Sequence, residues 1–208
     1  RNTAGNHLGS YNMALSYVSP EWKARAYFER YFEDQSMLTL QYGIYDHLLG
    51  FEVELPKNPF VNSFVLEHIS TKDQSGAVYH DKTASMPDKM NGRDNYYYHL
   101  LYTGWQHWGM ALGHPLITSP IYNENNVINF RNNRIMAWHF GLSGQPTDEL
   151  AYRVLLTFTE NWGTYITPFD DVLKQKSYLF EVSYQPKRFI GWSATLALAY
   201  DDGEVLGN

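Results

Sequence analysis

Four consecutive segments between Arg134 and Asp201 alternate apolar and polar side chains with a period of two. Successive side chains on an extended strand point to opposite faces, so each segment reads as a strand with two unlike sides. The apolar sides carry Met136, Trp138, Phe140 and Leu142, then Tyr152, Val154, Leu156 and Phe158, then Tyr178, Phe180, Val182 and Tyr184, then Trp192, Ala194, Leu196, Leu198 and Tyr200. Small or polar residues occupy most of the alternate positions, among them His139, Gly141, Thr157, Ser177, Glu181 and Thr195.

The order within the apolar rows narrows the environment. Aromatic residues stand at the ends and smaller aliphatic ones between them: Tyr152 and Phe158 bracket Val154 and Leu156, while Trp192 and Tyr200 bracket Ala194 to Leu198. A soluble core gives no reason for that order, whereas a bilayer favours amphipathic rings at its interfaces and aliphatic chains at its centre. Each segment has about the ten residues a tilted strand needs to cross roughly 30 Å of hydrocarbon.

The chain in order extends the pattern. Residues 8–18 form a first strand with Tyr11, Met13, Leu15 and Tyr17 on one face, and Ser19-Pro20-Glu21 turns it. Residues 22–33 form a second, with Trp22, Ala24, Ala26 and Phe28 opposite Lys23, Arg25, Tyr27 and Glu29. After a longer connection at 34–47 comes a third strand, 48–55, with Leu49, Phe51, Val53 and Leu55 opposing Glu52 and Glu54. The fourth, 61–70, leaves two registers open, because Phe64 and Leu66 compete with Val65 and Ile69 for the apolar face. Residues 71–133 are an excursion rich in Asn, Asp, Gly, Tyr, Trp and His, read as a long outer loop region in which Tyr96 to Tyr102 either pair as a short strand or lie on the rim. Connections at 144–148, 161–175 and 186–190 then alternate short, long and short.

That alternation is expected of an all-β, antiparallel, up-and-down transmembrane barrel of outer-membrane type. The chain is read as one unit, residues 1–208, forming part of a barrel with about eight strands. The central apolar rows carry no Lys, Arg, Asp or Glu, and the charges Lys23, Arg25, Glu29, Glu52, Glu54, Arg153 and Glu181 fall on the other face, which would line the lumen. The mean hydropathy of -0.44 agrees with such a fold, since alternate residues alone meet lipid. No run of 18 apolar residues offers a spanning helix. A net charge of -6 with scattered Lys and Arg argues against a nucleic-acid partner, and the absence of Cys excludes disulfides and thiolate metal sites. Beginning at Arg1 without a signal segment, the chain is expected to be a processed or truncated piece.

Little in the sequence carries reaction chemistry. The pairs Glu52/Glu54, Asp170/Asp171 and Asp201/Asp202 read as lumen or loop charges more readily than as a glycosidase pair. His107 and His114, seven residues apart, lack the third ligand of a zinc site, and Asp201-Asp202-Gly203-Glu204 reads as a turn. No enzymatic activity, cofactor or metal is expected. The densest binding candidate is Trp105, Gln106, His107, Trp108 and His114, with Tyr122 further along, because sugar C–H faces stack on rings while hydroxyls pair with amide and imidazole edges. The competing reading buries both Trp residues in the loop's own core or an interfacial girdle. Asn123, Asn125, Asn126, Asn129, Asn132 and Asn133 extend the polar stretch without locating a site.

Trp108-Gly109-Met110-Ala111-Leu112-Gly113-His114-Pro115, the run from Asn129 to Arg134 into Ala137-Trp138-His139-Phe140-Gly141, and Arg153 to Phe158 resemble the Wzi family of capsule-assembly outer-membrane proteins in its Bacteroides-type form. The resemblance spans most of the chain. It implies a larger monomeric barrel preceded by a periplasmic helical bundle, which organises or attaches capsular polysaccharide at the cell surface as a lectin. Outer-membrane lipid and surface polysaccharide are then the expected partners. The rivals are a porin-like channel of the same architecture and a secreted β-sandwich that binds or hydrolyses glycans.

Overall fold

In a computed structural model, residues 9–32, 37, 45–56, 58–75, 84, 95–98, 103–123 and 127–206 are described. The four segments of the C-terminal part and the three that open the chain, together with 63–70, form one antiparallel sheet. Its strands are β1 (Gly9–Val18), β2 (Lys23–Phe32), β3 (His47–Glu54), β4 (Ser63–Ser70), β7 (Ile135–Gly144), β8 (Leu150–Gly163), β9 (Pro168–Tyr184) and β10 (Ala194–Gly203). They pair in the order β1-β2-β3-β4-β7-β8-β9-β10, so every strand lies beside its neighbour in the chain except where a small hairpin, β5 (Gln106–His107) with β6 (Met110–Ala111), is inserted. This is the expected up-and-down order, but the sheet is open: β1 and β10 each keep one unpaired edge among the described residues. No helix among them is long and apolar enough to cross a membrane.

Register assigns every side chain to a face. Leu15 lies opposite Ala26, Ala26 opposite Phe51, Phe51 opposite Leu66, Leu66 opposite Phe140, Phe140 opposite Leu156, and further along Val182 opposite Leu196. The fourth strand thereby takes Phe64 and Leu66 to the apolar face and Val65 and Ile69 to the polar one. Among the described residues no second sheet covers the apolar rows. Trp138 is 48% exposed, Leu196 66% and Leu15 78%.

A continuous file of rings crosses the apolar face near the end of the strands that carries the excursion. It runs from Phe28 to His47, His68 and Trp138, and then through Phe140, Phe158, Tyr178 and Tyr200, with successive centroids 4.6–6.4 Å apart. His47 and His68 join the file by solving their own polarity. His47 Nδ1 lies 2.7 Å from the Tyr45 carbonyl, which can accept but not donate, so in the neutral ring Nε2 is the acceptor for His68 Nδ1 at 3.0 Å. Toward the opposite end, Tyr17 and Trp22 pack at 5.0 Å, and the Tyr152 hydroxyl donates to the Phe60 carbonyl. Charges on the apolar face stay at the excursion end, where Lys174 meets Glu160 and Lys176 meets Asp202, each at 3.8 Å.

The polar face is crossed by local pairs. Lys23 bridges Glu54 at 2.7 Å, Arg153 bridges Glu181 at 3.2 Å, and His139 Nδ1 lies 2.7 Å from Thr157 Oγ1. Arg25 stands over the Tyr27 ring, and the Tyr27 hydroxyl donates to Glu67. That ring lies flat across Gly50, where a Cβ would come within 2.2 Å of its carbons, so the neighbouring strand needs a glycine there. Lys23, Arg25, Glu29, Glu52, Glu54, Arg153 and Glu181 all share this face, as the alternation places them.

One connection departs from expectation. Residues 161–175 are not a long loop: β8 runs for 14 residues and β9 for 17, and they stay paired beyond the sheet to Gly163 and Pro168. The turn is residues 164–167, closed by Thr164 N donating to the Thr167 carbonyl at 3.2 Å. Asn161, Gly163 and Pro168 resemble loop residues by type, but a bulge between Asn161 and Gly163 and the positive φ of Gly163 absorb them into a projecting hairpin. The connection 34–47 lies largely outside the described residues.

Candidate functional site

The excursion between β4 and β7 does not stand away from the sheet. It packs a small core of Tyr96, Tyr97, Ile117 and Phe130 against Ile135 of β7 and Met37, then returns across the polar face. Tyr96 and Tyr97 belong to this loop core and form no strand, and residues 99–102 lie outside the described part. Because a buried loop must satisfy its own backbone, polar side chains do the clamping. Asn133 donates to the Tyr96 carbonyl at 2.7 Å, Asn132 donates to Asn161 Oδ1 at 2.7 Å, and Asn132 Oδ1 accepts from Gly163 N at 3.2 Å. Asn123 donates to the carbonyls of Val127 and Asn129. These asparagines hold the loop; Asn125 and Asn126 lie outside the described residues.

Asp46 anchors the base of the excursion. One of its oxygens accepts from Asp73 N at 2.9 Å, and the other accepts from Gln74 N at 2.5 Å and from the Tyr96 hydroxyl at 3.0 Å. Burial pushes its pKa up to about 6, against three hydrogen bonds that pull it down. At the rim Arg134 lies over the Tyr165 ring at 3.9 Å and donates to the Lys72 carbonyl, while Lys72 lies over Trp162 at 4.6 Å.

The six residues singled out as a sugar site fall in three places. Trp105, Gln106, His107 and Trp108 build the β5–β6 hairpin, whose two-residue turn takes positive φ at Trp108 and Gly109. Gln106 spends its carbonyl oxygen on Gly109 N at 2.6 Å and so closes the turn. Trp108 sits at the tip, 85% exposed, with the His107 ring edge-on at 6.1 Å. His114 instead turns toward the sheet: its N–H donates to the Tyr97 hydroxyl at 2.8 Å, and its Nδ1 accepts from Leu116 N at 3.3 Å. Burial holds its imidazole below the ordinary histidine value, with Glu67 on the polar face acting in the other direction. Tyr122, in the short 3-10 turn Pro120–Tyr122, is exposed. Among the described residues no group of three or more His, Asp or Glu comes together as metal ligands.

Two spaces separate the excursion from the polar face. A cavity of about 230 Å³ lies between His114, Pro115 and Leu116 and the sheet residues Leu48, Glu67, Ile69, Ala137, His139 and Thr157. A larger cleft, about 420 Å³, has Tyr122 and Pro115 to Ser119 on one side and Thr159, Asn161, Gln175, Ser177 and Asp201 on the other. It lies within the usual size range of small-molecule pockets, about 300–1,000 Å³. The sheet side of this cleft escaped the sequence reading, because its residues come from three strands and meet through register. The available signal was the polar row of those strands, with Asp201 on the polar face and Asp202 on the other. Comparison of the chain with protein-family models, with curated proteins and with solved structures finds no match.

Proposed function

We propose that this chain is part of an outer-membrane β-barrel that binds or organises capsular polysaccharide at the cell surface, acting as a lectin and not as an enzyme. The observation that carries the membrane part is the bare apolar face with rings toward both ends. A Leu or Phe side chain left wet forgoes about 1.5–3 kcal/mol of burial, and soluble monomers rarely expose apolar patches beyond a few hundred Å². Lipid contact removes that penalty across all eight strands at once. In hydrocarbon the edges of β1 and β10 would also need strand partners, since an unpaired backbone group there costs several kcal/mol.

The polysaccharide part is supported by the excursion, which presents Trp105 and Trp108 outward on a closed hairpin and shapes a cleft of mixed polar and apolar lining against the sheet. It agrees with the resemblance to the Wzi family. An open channel is the weaker alternative, because the excursion lies across the polar face that would form the pore wall.

Replacing both Trp105 and Trp108 by Ala in the membrane-inserted protein tests the reading. Capsule retention on whole cells should fall while the barrel keeps its folded, detergent-resistant mobility on gels. Unchanged retention would remove the hairpin from the binding surface. A steady open conductance in planar bilayers would favour the channel.

A further inference from the structure

Beyond the ring file on the apolar face stand two cations with no carboxylate opposite them. Asn133 and Ile135 are both fully buried on the excursion side, so Arg134 between them turns to the other face, in line with Met136 and Trp138. Asn161 likewise turns inward to Asn132, and Trp162, whose N–H donates to the Arg134 carbonyl at 2.9 Å, turns outward. The Arg134 guanidinium lies 3.9 Å from the centre of the Tyr165 ring, and its Nε donates to the Lys72 carbonyl at 2.9 Å. The Lys72 ammonium lies 4.6 Å from the centre of the Trp162 ring. One hairpin, β8–β9, supplies both rings.

The charges on this face are layered. Lys176, opposite Phe158, meets Asp202, and Lys174, opposite Glu160, meets that carboxylate, each at 3.8 Å. Trp162, Lys72 and Arg134 form the next layer out, where the pairing stops. Neither cation meets a carboxylate among the described residues, and Asp73, next to Lys72 in the chain, pairs with neither. Lys23, Arg153 and Lys187 elsewhere each have an acidic partner within 3.2 Å. Arg134 is two outward positions beyond Trp138, roughly 13 Å along a strand at about 3.3 Å per residue. Rings of this kind mark the membrane interface, and the anionic headgroups lie just beyond it. A cation seated on a ring keeps its far side open to an anion, and the ring lowers the cost of ordering the side chain. A guanidinium takes two phosphate oxygens in its planar fork, and an ammonium adds a point charge.

We propose that Lys72 and Arg134 form a docking site for the phosphate of a membrane glycolipid, on the outside of the barrel at the excursion end. The proposal rests on the membrane part of the reading above and adds the lipid chemistry which that part leaves open. The source of the phosphate follows from the place, since the site stands above the ring file on the face turned to lipid and not in the polar interior.

The test inserts the full chain into phosphatidylcholine vesicles that contain lipid A with its phosphates or lipid A stripped of them. The chain is then extracted in mild neutral detergent, and retained lipid is counted by native mass spectrometry. Phosphorylated lipid A should stay bound and the stripped form should not. Lys72→Gln combined with Arg134→Gln should lower retention roughly tenfold or more, as expected for the loss of charge-assisted hydrogen bonds. Arg134→Lys, which keeps the charge but loses the fork, should lower it less. Lys72→Gln alone leaves the backbone carbonyl that Arg134 bonds, so it decides the matter should the double variant not fold. Lys187→Gln removes a charge at the opposite end of the strands and should leave retention unchanged. Gel mobility reports the folding of each variant. Equal retention of both lipids, or full retention by the folded variants, overturns the site. Inorganic phosphate bound from buffer without any retained lipid A overturns it as well, by making the site one for a free anion. In those cases the membrane reading stands if β10 shows alternating contact with lipid; a chain that does not insert takes both down.

Discussion

The two faces of the eight-stranded sheet invert the arrangement of a soluble β domain. Among the described residues the apolar face is bare from β1 to β10, whereas the polar face is the one the chain covers, with the excursion drawn over its upper end. A protein folded for water would place its loop core over Leu66, Phe140 and Leu156. Here the loop core takes Ile135 and rests near Glu67, His139 and Gln175. On the proposed reading, lipid covers the apolar rows and the loop packing serves to close a polar interior.

The sharpest way to break this contrast is to put one charge on each face at the same height. Leu196 lies opposite Val182 on the apolar face, and its neighbour Thr195 shares a hydrogen bond with Ser183 at 3.0 Å on the polar face. Leu196→Arg should cost about 2–4 kcal/mol at mid-membrane depth and reduce the inserted fraction in membrane extracts. Thr195→Arg loses one exposed hydrogen bond and should insert nearly as well as the parent. Equal tolerance would contradict the assignment of the faces.

A substitution on the polar face tests whether that side is closely packed. Gly50→Val would drive a side chain into the Tyr27 ring, and the overlap should destabilise the sheet by about 1–3 kcal/mol in urea unfolding. An unchanged midpoint would mean that Tyr27 does not lie over Gly50.

The covering loop responds to pH through Asp46. Its carboxyl titrates near 6 in the folded chain against 3.8 when free. Between these values the folded state holds a proton that the opened state has released. The closed excursion is therefore relatively stabilised at low pH, fully so below about 3.8, and loses that contribution as pH rises from there through about 6, by roughly 3 kcal/mol in all. Amide exchange at Asp73 to Ser75 should be slower at pH 5 than at pH 7 after correction for intrinsic rates. Asp46→Asn, which keeps one acceptor oxygen, should flatten that dependence.

The strands and their faces were legible because a period of two survives every local irregularity, and pairing settled the single open register, at Phe64 and Leu66. What the alternation could not carry was anything that depends on more than one strand. His47 and His68 read as polar residues, yet a shared hydrogen bond lets them join the aromatic file. Asn161, Gly163 and Pro168 read as loop residues, yet the hairpin runs through them. Of the sugar-site residues, the exposed Trp108 was visible as a type in a polar context. His114 was visible but faces inward. Gln175 read as the end of a connection and Asp201 as half of a carboxylate pair in a turn, since neighbours along the chain do not show which groups the register brings together.

The most direct measurement is a spin-label scan of β10 in lipid vesicles. The chain has no Cys, so single cysteines at each position from Ala194 to Tyr200 can be labelled cleanly. Collision with membrane-dissolved oxygen should alternate with a period of two, high at 194, 196, 198 and 200 and low at 195, 197 and 199. Collision with a water-soluble nickel chelate should show the opposite phase or remain low throughout. Uniform access of the nickel chelate along β10, without alternation, would contradict a lipid-facing apolar side.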